Sequence, residues 1–168
     1  AQLNPASTMK KEARSVIYTF REGDKIMQTK NNYDIVWSKD GEQGAGIYNG
    51  DIGKILSINR QRMEAVISFD GRNAVYTFDM LDQLELAYAI TVHKSQGSEF
   101  EAVIMPLMGG FEKLFYRNLL YTAVTRAKKL LIIIGTEEII TKMVVNNKRT
   151  NRYTCLTAML REEIKPHE

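Results

Sequence analysis

The sequence predicts an α/β protein with two structural parts, a parallel sheet and a small antiparallel β-barrel. Short β-branched and aromatic runs follow one another between residues 23 and 85, with turn signals and no helical period between them. After residue 86, apolar runs alternate with stretches of helical spacing, which is typical of parallel strands joined by crossover helices. The uninterrupted apolar run 130–135 is expected to be a parallel strand buried on both faces.

The antiparallel part contains four predicted strands and a lead-in, residues 1–22, that ends in a strand-like stretch at 15–20. The pair Asp70-Gly71 predicts a hairpin, because glycine readily takes the positive φ of a tight turn. Several short strands of this kind favour a small barrel of the SH3-like or OB type. Glycines recur over residues 40–50 without the Gly-Lys-Ser/Thr spacing of a phosphate loop, which predicts a mobile loop. The predicted strands are 25–29, 54–58, 65–69 and 74–78.

The parallel part is predicted to alternate strands and helices up to the end of the chain. Thr136 is expected to N-cap a helix, with Glu137 and Glu138 in its first turn. One face of the long helix is apolar, consisting of Tyr116, Leu120, Ala123, Val124 and Ala127. The other predicted elements are strands over 86–92, 101–107 and 130–135, and helices over 94–100, 112–128 and 157–164.

Composition limits the classes of protein. Hydrophobic residues make up 44% and charged residues 26% of the chain, a balance typical of a globular protein with a core. No apolar run reaches the ~20 residues that span a bilayer, so no membrane partner is expected. The single Cys155 excludes an internal disulfide and a zinc site of several cysteines, which favours a cytoplasmic location and predicts no metal site. The net charge of +3 is too small to indicate nucleic acid by itself.

The polar stretch TVHKSQGSEF, residues 91–100, lies between two apolar runs. A strand that ends at Val92 would place a hydroxyl, an imidazole and an ammonium group at the edge of the sheet where ligands bind. Such donors at a helix N-terminus suit a phosphate, Gly97 permits close backbone approach, and Glu99 suits a ribose hydroxyl. A polar loop with solvated charges is the alternative. The predicted phosphate-binding residues are Thr91, His93, Lys94 and Ser95.

Two other segments carry polar residues in unusual positions. Opposite the apolar face of helix 112–128, Arg126 lies on a stripe that includes two threonines and can present its guanidinium to a phosphate. A surface ion pair is the alternative for this arginine. Asn31 and Asn32 follow a predicted strand beside Lys30 and can contact a nucleic-acid backbone or base, or simply form a turn. Trp37 is compatible with the core and with an exposed position.

Three segments resemble superfamily 1 DNA helicases of the RecD-like branch. LAYAITVHKSQGSEF resembles motif V, and LLYTAVTRAKKLLIIIG resembles motif VI. FREGDKIMQTKNNYD and the later YNGDIGKI resemble the stretch that precedes motif V in that branch. QLNP near the start also resembles that branch. The resemblance covers roughly residues 20–135 in the order of the family.

The resemblance implies a RecA-like second motor domain interrupted by an SH3-like antiparallel barrel. The implied division is residues 1–44 for the first part of the motor domain, 45–85 for the barrel, and 86–168 for the remainder. The implied activity is ATP-driven DNA unwinding with 5′-to-3′ polarity. Thr91, His93 and Lys94 would contact single-stranded DNA, Gly97 and Glu99 would face the nucleotide, Arg126 would be the arginine finger, and Gln28 would lie at the edge of the site.

No phosphate loop of the Walker type occurs in the sequence. We therefore expect a C-terminal fragment of a longer helicase, inactive alone, whose ATP and Mg²⁺ depend on the missing N-terminal RecA-like domain. The sequence does not identify partner proteins of the longer helicase in a nuclease complex. The alternative is a non-enzymatic module that binds single-stranded nucleic acid through the barrel.

Overall fold

The computed structural model describes residues 2–108, 110, 112–147 and 159. Contacts divide the chain into two compact units, Ala1–Glu99 and Phe100–Glu168. We call them the N-terminal unit and the C-terminal unit. Among the described residues, no helix is both long and apolar enough to cross a membrane.

The N-terminal unit is built from antiparallel strands. Strands β1 (Glu12–Arg14) and β2 (Thr19–Arg21) form a hairpin. Seven further strands form one sheet: β3 (Lys25–Gln28), β4 (Asn32–Lys39), β5 (Glu42–Ile47), β6 (Ile52–Asn59), β7 (Glu64–Phe69), β8 (Arg72–Thr77) and β9 (Leu84–Leu86). Their order is β5-β4-β8-β7-β6-β3-β9, so the described sheet is open, with β5 and β9 at its edges. Closure into an SH3-like barrel is not confirmed by this pairing.

The four strands predicted in this region are confirmed as β3, β6, β7 and β8, and so is the hairpin at Asp70-Gly71. Phe69 pairs with Arg72 across the turn, and Asp70 and Gly71 have φ values of 51° and 81°. Positive φ at both central residues is the geometry that matches the twist of an antiparallel pair. One sheet thus contains strands from both sides of the predicted boundary at 44/45, and the division into motor domain and inserted barrel stays a prediction.

The core of the N-terminal unit comes from strand alternation. Side chains at every second position of β7 are buried, and Phe69, Tyr76 and Phe20 are its largest fully buried members. A 3₁₀ helix at Phe78–Gln83 adds the buried Leu81. Trp37 is half-buried against this core, with the guanidinium carbon of Arg72 5.8 Å from its ring centroid. Trp37 is therefore a residue of the core edge.

The predicted mobile loop over residues 40–50 is wrong, because residues 42–47 form β5. The glycines of this strand allow aromatic side chains to pack directly against its backbone. A Cβ atom at Gly44 would lie 2.3 Å from Cζ2 of Trp37, and one at Gly46 would lie 2.7 Å from the hydroxyl of Tyr48. Both rings lie directly on the backbone of β5, which only glycine permits.

The C-terminal unit contains two of the three predicted parallel strands. β10 (Phe100–Leu107) pairs in parallel with β11 (Ala127–Gly135), with Val103 opposite Leu131. A 3₁₀ turn (Glu112–Leu114) and helix α1 (Arg117–Val124) connect them, and helix α2 (Glu137–Val145) follows. Thr136 is the N-cap residue of α2 without a side-chain capping bond, and both predicted glutamates lie in the first turn.

Two expectations for this unit need correction, and a third is not tested. Helix α1 ends at Val124, because the hydroxyls of Thr122 and Thr125 bond back to helix carbonyls and strand pairing begins at Ala127. Strand β11 is not buried on both faces, since Leu130, Ile132 and Ile134 are 41–51% exposed. The helix predicted over 157–164 lies outside the described residues apart from Met159.

The predicted strand over 86–92 and helix over 94–100 are also wrong. The strand is the short β9, which pairs antiparallel to β3 and belongs to the N-terminal unit. Beyond it, residues 92–97 form consecutive turns until β10 starts at Phe100. Hydroxyl groups of Thr91 and Ser95 bond to the local backbone, which favours turns over a continued strand or helix.

Candidate functional site

Turns over residues 91–99 present the predicted DNA-binding side chains. The hydroxyl of Ser95 donates to the Val92 carbonyl at 2.8 Å, and Ser95 is 6% exposed. The Thr91 hydroxyl accepts the amide of Lys94 at 3.3 Å. Thr91, His93 and Lys94 are exposed, whereas Ser95 uses its one donor to hold the turn. The structure therefore presents three of the four predicted phosphate ligands and gives Ser95 a structural bond.

Lys94 is oriented by a carboxylate of the preceding strand. Its Nζ lies 2.6 Å from Oε1 and 2.5 Å from Oε2 of Glu85 in β9. The side chain of Glu85 is 20% exposed and that of Lys94 is 45% exposed. The ammonium group is thus fixed at the surface, and any phosphate that approached it would have to share it with Glu85.

A groove of about 360 Å³ connects Lys94 with the end of β3. Thr29, which follows β3, lines the same groove, and so do Val16 and Ile17 at the tip of the β1–β2 hairpin. Lys30 and Asn31 continue directly from Thr29, and both are exposed. The groove brings the two segments predicted to bind DNA to one side of the N-terminal unit.

Asn31 and Asn32 hold the start of β4. Asn31 Oδ1 accepts the amide of Asn49 at 2.9 Å, and Asn32 Oδ1 accepts the amide of Asp34 at 3.1 Å. The side-chain amide of Asn32 also donates to Gln83 Oε1 at 3.1 Å. Asn32 is therefore the first residue of β4 and Asn31 lies just before the strand, so neither residue forms the alternative turn. Asn31 is exposed, and the contact of both residues with DNA stays a prediction.

Gln28 is fully buried, which differs from a place at the edge of an open site. Its Nε2 donates to Gln83 Oε1 at 3.1 Å, and its Oε1 accepts the hydroxyl of Tyr76 at 3.1 Å. Its backbone amide donates to Asp51, and its carbonyl accepts the amide of Gly50. Gln28 thus connects β3, β8 and the turn after β5, and its role beside the nucleotide stays a prediction.

Asp24 was not among the sequence-predicted site residues, yet it joins three distant segments. Its Oδ1 accepts Asn4 Nδ2 at 2.6 Å and the hydroxyl of Tyr88 at 2.7 Å, and its Oδ2 accepts the amide of Arg21 at 2.8 Å. Desolvation and the hydrogen bond to Asp24 raise the pKa of Tyr88. No spacing rule relates positions 4, 24 and 88, so the sequence contains no local signal for this cluster.

Arg126 lies in the C-terminal unit, between α1 and β11, and is half-buried. Its Nε donates to the Thr122 carbonyl at 3.1 Å, and Nη2 donates to the Thr125 hydroxyl at 3.3 Å. Its own carbonyl accepts the amide of Phe100 at 2.8 Å. The two threonines that distinguish this helix face therefore orient the guanidinium group.

The remaining predicted nucleotide residues lie in the N-terminal unit. Gly97 has φ +84° and no heavy atom within 4 Å of an added Cβ, so the backbone there is open to close approach. Glu99 is exposed at the end of the turns. Among the described residues, no group of three or more His, Cys, Asp or Glu side chains is arranged to hold a metal ion. Chemically, the site offers hydroxyl, imidazole and ammonium groups to an anionic ligand.

Comparisons with known proteins match the two halves of the chain separately. Residues 1–69 match the ATP-dependent RecD-like DNA helicase SH3 domain, and residues 86–134 match the UvrD-like helicase C-terminal domain. A solved chain from a structure of two coordinating Pif1 helicases on forked double-stranded DNA has a TM-score of 0.52 and 22% identity. It covers 90% of this chain and 36% of that chain, and this likeness concerns the fold.

Curated relatives give the same assignment. The ATP-dependent RecD2 DNA helicase of Deinococcus radiodurans is 36% identical over 116 residues, which are 69% of this chain and 14% of that protein. The RecBCD enzyme subunit RecD of Mycobacterium tuberculosis is 35% identical over 115 residues, 68% of this chain and 18% of that protein. The chain thus spans less than a fifth of the length of these relatives. The two domain matches and these relatives show that the chain belongs to the RecD-like branch of superfamily 1 helicases.

Proposed function

We propose that this chain is the C-terminal motor portion of a longer ATP-dependent helicase that moves 5′ to 3′ on single-stranded DNA. The observation that carries the proposal is the exposed trio Thr91, His93 and Lys94 on turns held in place by Ser95 and Glu85. A RecA-like motor domain with an inserted SH3-like barrel is the architecture we propose for the longer protein.

The DNA side of the site suits a phosphate backbone. Hydroxyl and ammonium donors provide contacts that do not depend on base identity, as a translocating motor requires. Asn31 and the exposed Lys30 extend this surface beyond the groove that contains Lys94. Ser95 and Asn32 support the same surface through the bonds that hold their turns.

The nucleotide side is proposed to depend on Arg126, with Gly97 and Glu99 as further contacts; the fully buried Gln28 could act there only indirectly. Bonds to Thr122 and Thr125 orient the guanidinium, which suits a group that must meet a phosphate in one geometry. An arginine finger stabilises the charge that develops during phosphoryl transfer. ATP, when bound, supplies the phosphoryl group, and we assign the phosphate loop and Mg²⁺ to an N-terminal RecA-like domain in the same cytoplasmic protein.

The proposal is tested by comparing this chain with the longer protein. The chain alone is expected to hydrolyse no ATP with or without single-stranded DNA. The longer protein is expected to hydrolyse ATP faster when DNA is present and to displace a strand from a duplex with a 5′ tail. Displacement from a 3′-tailed duplex alone would contradict the polarity, and turnover by the purified short chain would contradict its dependence on another domain.

The second candidate is a non-enzymatic module that binds single-stranded nucleic acid. It is favoured by the two exposed tyrosines, Tyr33 and Tyr48, on the antiparallel sheet. DNA binding by the longer protein without any ATP turnover would support this candidate over the motor.

A further inference from the structure

Two tyrosines of the N-terminal unit form an aromatic pair at the surface. The ring of Tyr33 in β4 and the ring of Tyr48 after β5 meet edge to face, with centroids 5.7 Å apart and planes at 71°. Tyr33 is 65% exposed and Tyr48 is 42% exposed. The buried cluster of the unit contains neither ring, so the pair contributes little to the core.

Tyr48 is held against the sheet. Its ring covers Gly46, where an added Cβ would lie 2.7 Å from the Tyr48 hydroxyl. Its backbone amide donates to Asp51 Oδ2 at 3.1 Å, and its carbonyl accepts the amide of Asp51 at 3.0 Å. Asp51 in turn forms a 3.0 Å ion pair with Arg72 of β8. The ring therefore has a fixed position although much of it faces solvent.

Tyr33 is connected to the same turn. Asn31 Nδ2 lies 3.4 Å from the Tyr33 hydroxyl, and Asn31 Oδ1 accepts the amide of Asn49 at 2.9 Å. The next amide, of Gly50, donates to the carbonyl of the buried Gln28 at 2.9 Å. Hydrogen bonds thus connect the buried Gln28, through the turn at Asn49 and Gly50, with the exposed Tyr33.

We infer that Tyr33, supported by Tyr48, is a stacking platform for a base of single-stranded nucleic acid. An exposed aromatic face that is already fixed binds a base without the entropy loss of ordering a free side chain. The exposed Lys30 and Asn31 precede Tyr33 in the chain by three and two residues and suit the phosphate and base edge of the same nucleotide. Stacking is tolerant of sequence, which fits a surface that meets every base in turn.

This inference rests on the proposed function, because the base that stacks on Tyr33 belongs to the strand whose phosphates are proposed to contact Lys94. The two contributions differ physically. Contacts to phosphates weaken as salt rises, whereas stacking on an uncharged ring depends on the base and little on salt. A strand without bases separates them.

The test uses the 168-residue chain, a short oligothymidylate, and an abasic strand of equal length with the same phosphates. Affinities are measured by NMR titration at low salt, following the ring resonances of Tyr33 and Tyr48. The wild type is expected to bind the thymidine strand about tenfold more tightly than the abasic strand. Tyr33→Phe keeps that preference, and Tyr33→Leu, which keeps an apolar side chain without a ring, abolishes it.

Lys94→Ala distinguishes an absence of base stacking on Tyr33 (the platform) from an absence of phosphate binding at Lys94 (the backbone grip). It is expected to weaken binding to both strands by the same factor and to leave the base preference intact. Equal affinity of the wild type for the two strands, or a preference that survives Tyr33→Leu, overturns the platform even when Lys94→Ala weakens binding. A base preference that depends on Tyr33 while Lys94→Ala has no effect supports the platform and contradicts the grip. Binding of neither strand overturns both.

Discussion

Lys94 and Glu85 form a two-pronged ion pair, with the ammonium nitrogen 2.5 Å and 2.6 Å from the two carboxylate oxygens. The pair joins the last strand of the antiparallel sheet to the turns that present Thr91 and His93. It orients the ammonium group, and it also places a negative charge where a phosphate is proposed to bind. Glu85 therefore positions Lys94, and in the proposed complex it would compete with DNA for the ammonium group.

Replacing Glu85 with Gln is expected to tighten the binding of single-stranded DNA at low salt. Partly exposed ion pairs contribute about 0.2–1 kcal/mol, which corresponds to at most about a fivefold gain in affinity. Lys94→Ala is expected to weaken binding to all sequences alike and to lower the salt slope by about one. Fluorescence anisotropy across a salt series measures both effects. Weaker binding by Glu85→Gln would show that orientation outweighs competition.

Tyr88→Phe is expected to destabilise the N-terminal unit, because it removes one of three donors to the buried carboxylate of Asp24. A hydrogen bond to a charged group contributes about 1.5–3 kcal/mol, and the partial exposure of Tyr88 places the effect at the lower end. Urea unfolding measures the change. Tyr121→Phe, at an exposed tyrosine of α1, is the control and is expected to change stability little. Equal stability of the wild type and Tyr88→Phe would contradict the role of the cluster.

Alkaline pH is expected to destabilise the protein through Tyr76. Burial, reinforced by the nearby Asp51, raises the pKa of Tyr76 well above its usual value, although Arg72 opposes the shift. Above pH about 10 the unfolded chain loses this proton while the folded chain retains it, so stability falls as pH rises. The contribution is fully present below pH about 10.

Urea unfolding over a pH series tests this expectation. Tyr76→Phe is expected to be less stable near neutral pH, because Gln28 Oε1 loses its donor. Its stability should also fall less steeply above pH about 10, by up to about 1.4 kcal/mol per pH unit. Parallel pH profiles of the two proteins would contradict the assignment.

The sequence was informative where a local pattern determines the structure. Alternation along β7 and the Asp70-Gly71 pair determine strands and a hairpin through neighbouring residues alone. The prediction of a mobile loop from the glycines of β5 was wrong. Glycine is required there because the rings of Trp37 and Tyr48 lie on the backbone of the strand. That placement depends on sheet pairing, which local composition does not contain.

The candidate site was predictable to a similar extent. Hydroxyl, imidazole and ammonium groups within residues 91–95 indicated phosphate chemistry, and Thr91, His93 and Lys94 are exposed. The expected strand and helix around them were wrong, because β9 pairs with β3 and the hydroxyl of Ser95 closes a turn. The Asp24 cluster depends on residues far apart in the chain, so periodicity could not reveal it.

The proposed role of Arg126 as the arginine finger is tested by measuring ATP turnover and thermal unfolding on the same variant of the longer protein. Arg126→Ala is expected to lower the DNA-stimulated turnover by roughly 10³-fold or more, while the melting temperature and nucleotide affinity change little. Arg126→Lys is expected to restore little turnover, because a point charge does not reproduce the planar guanidinium. Full turnover by Arg126→Ala together with a lowered melting temperature would rule out the arginine finger and give Arg126 a structural role.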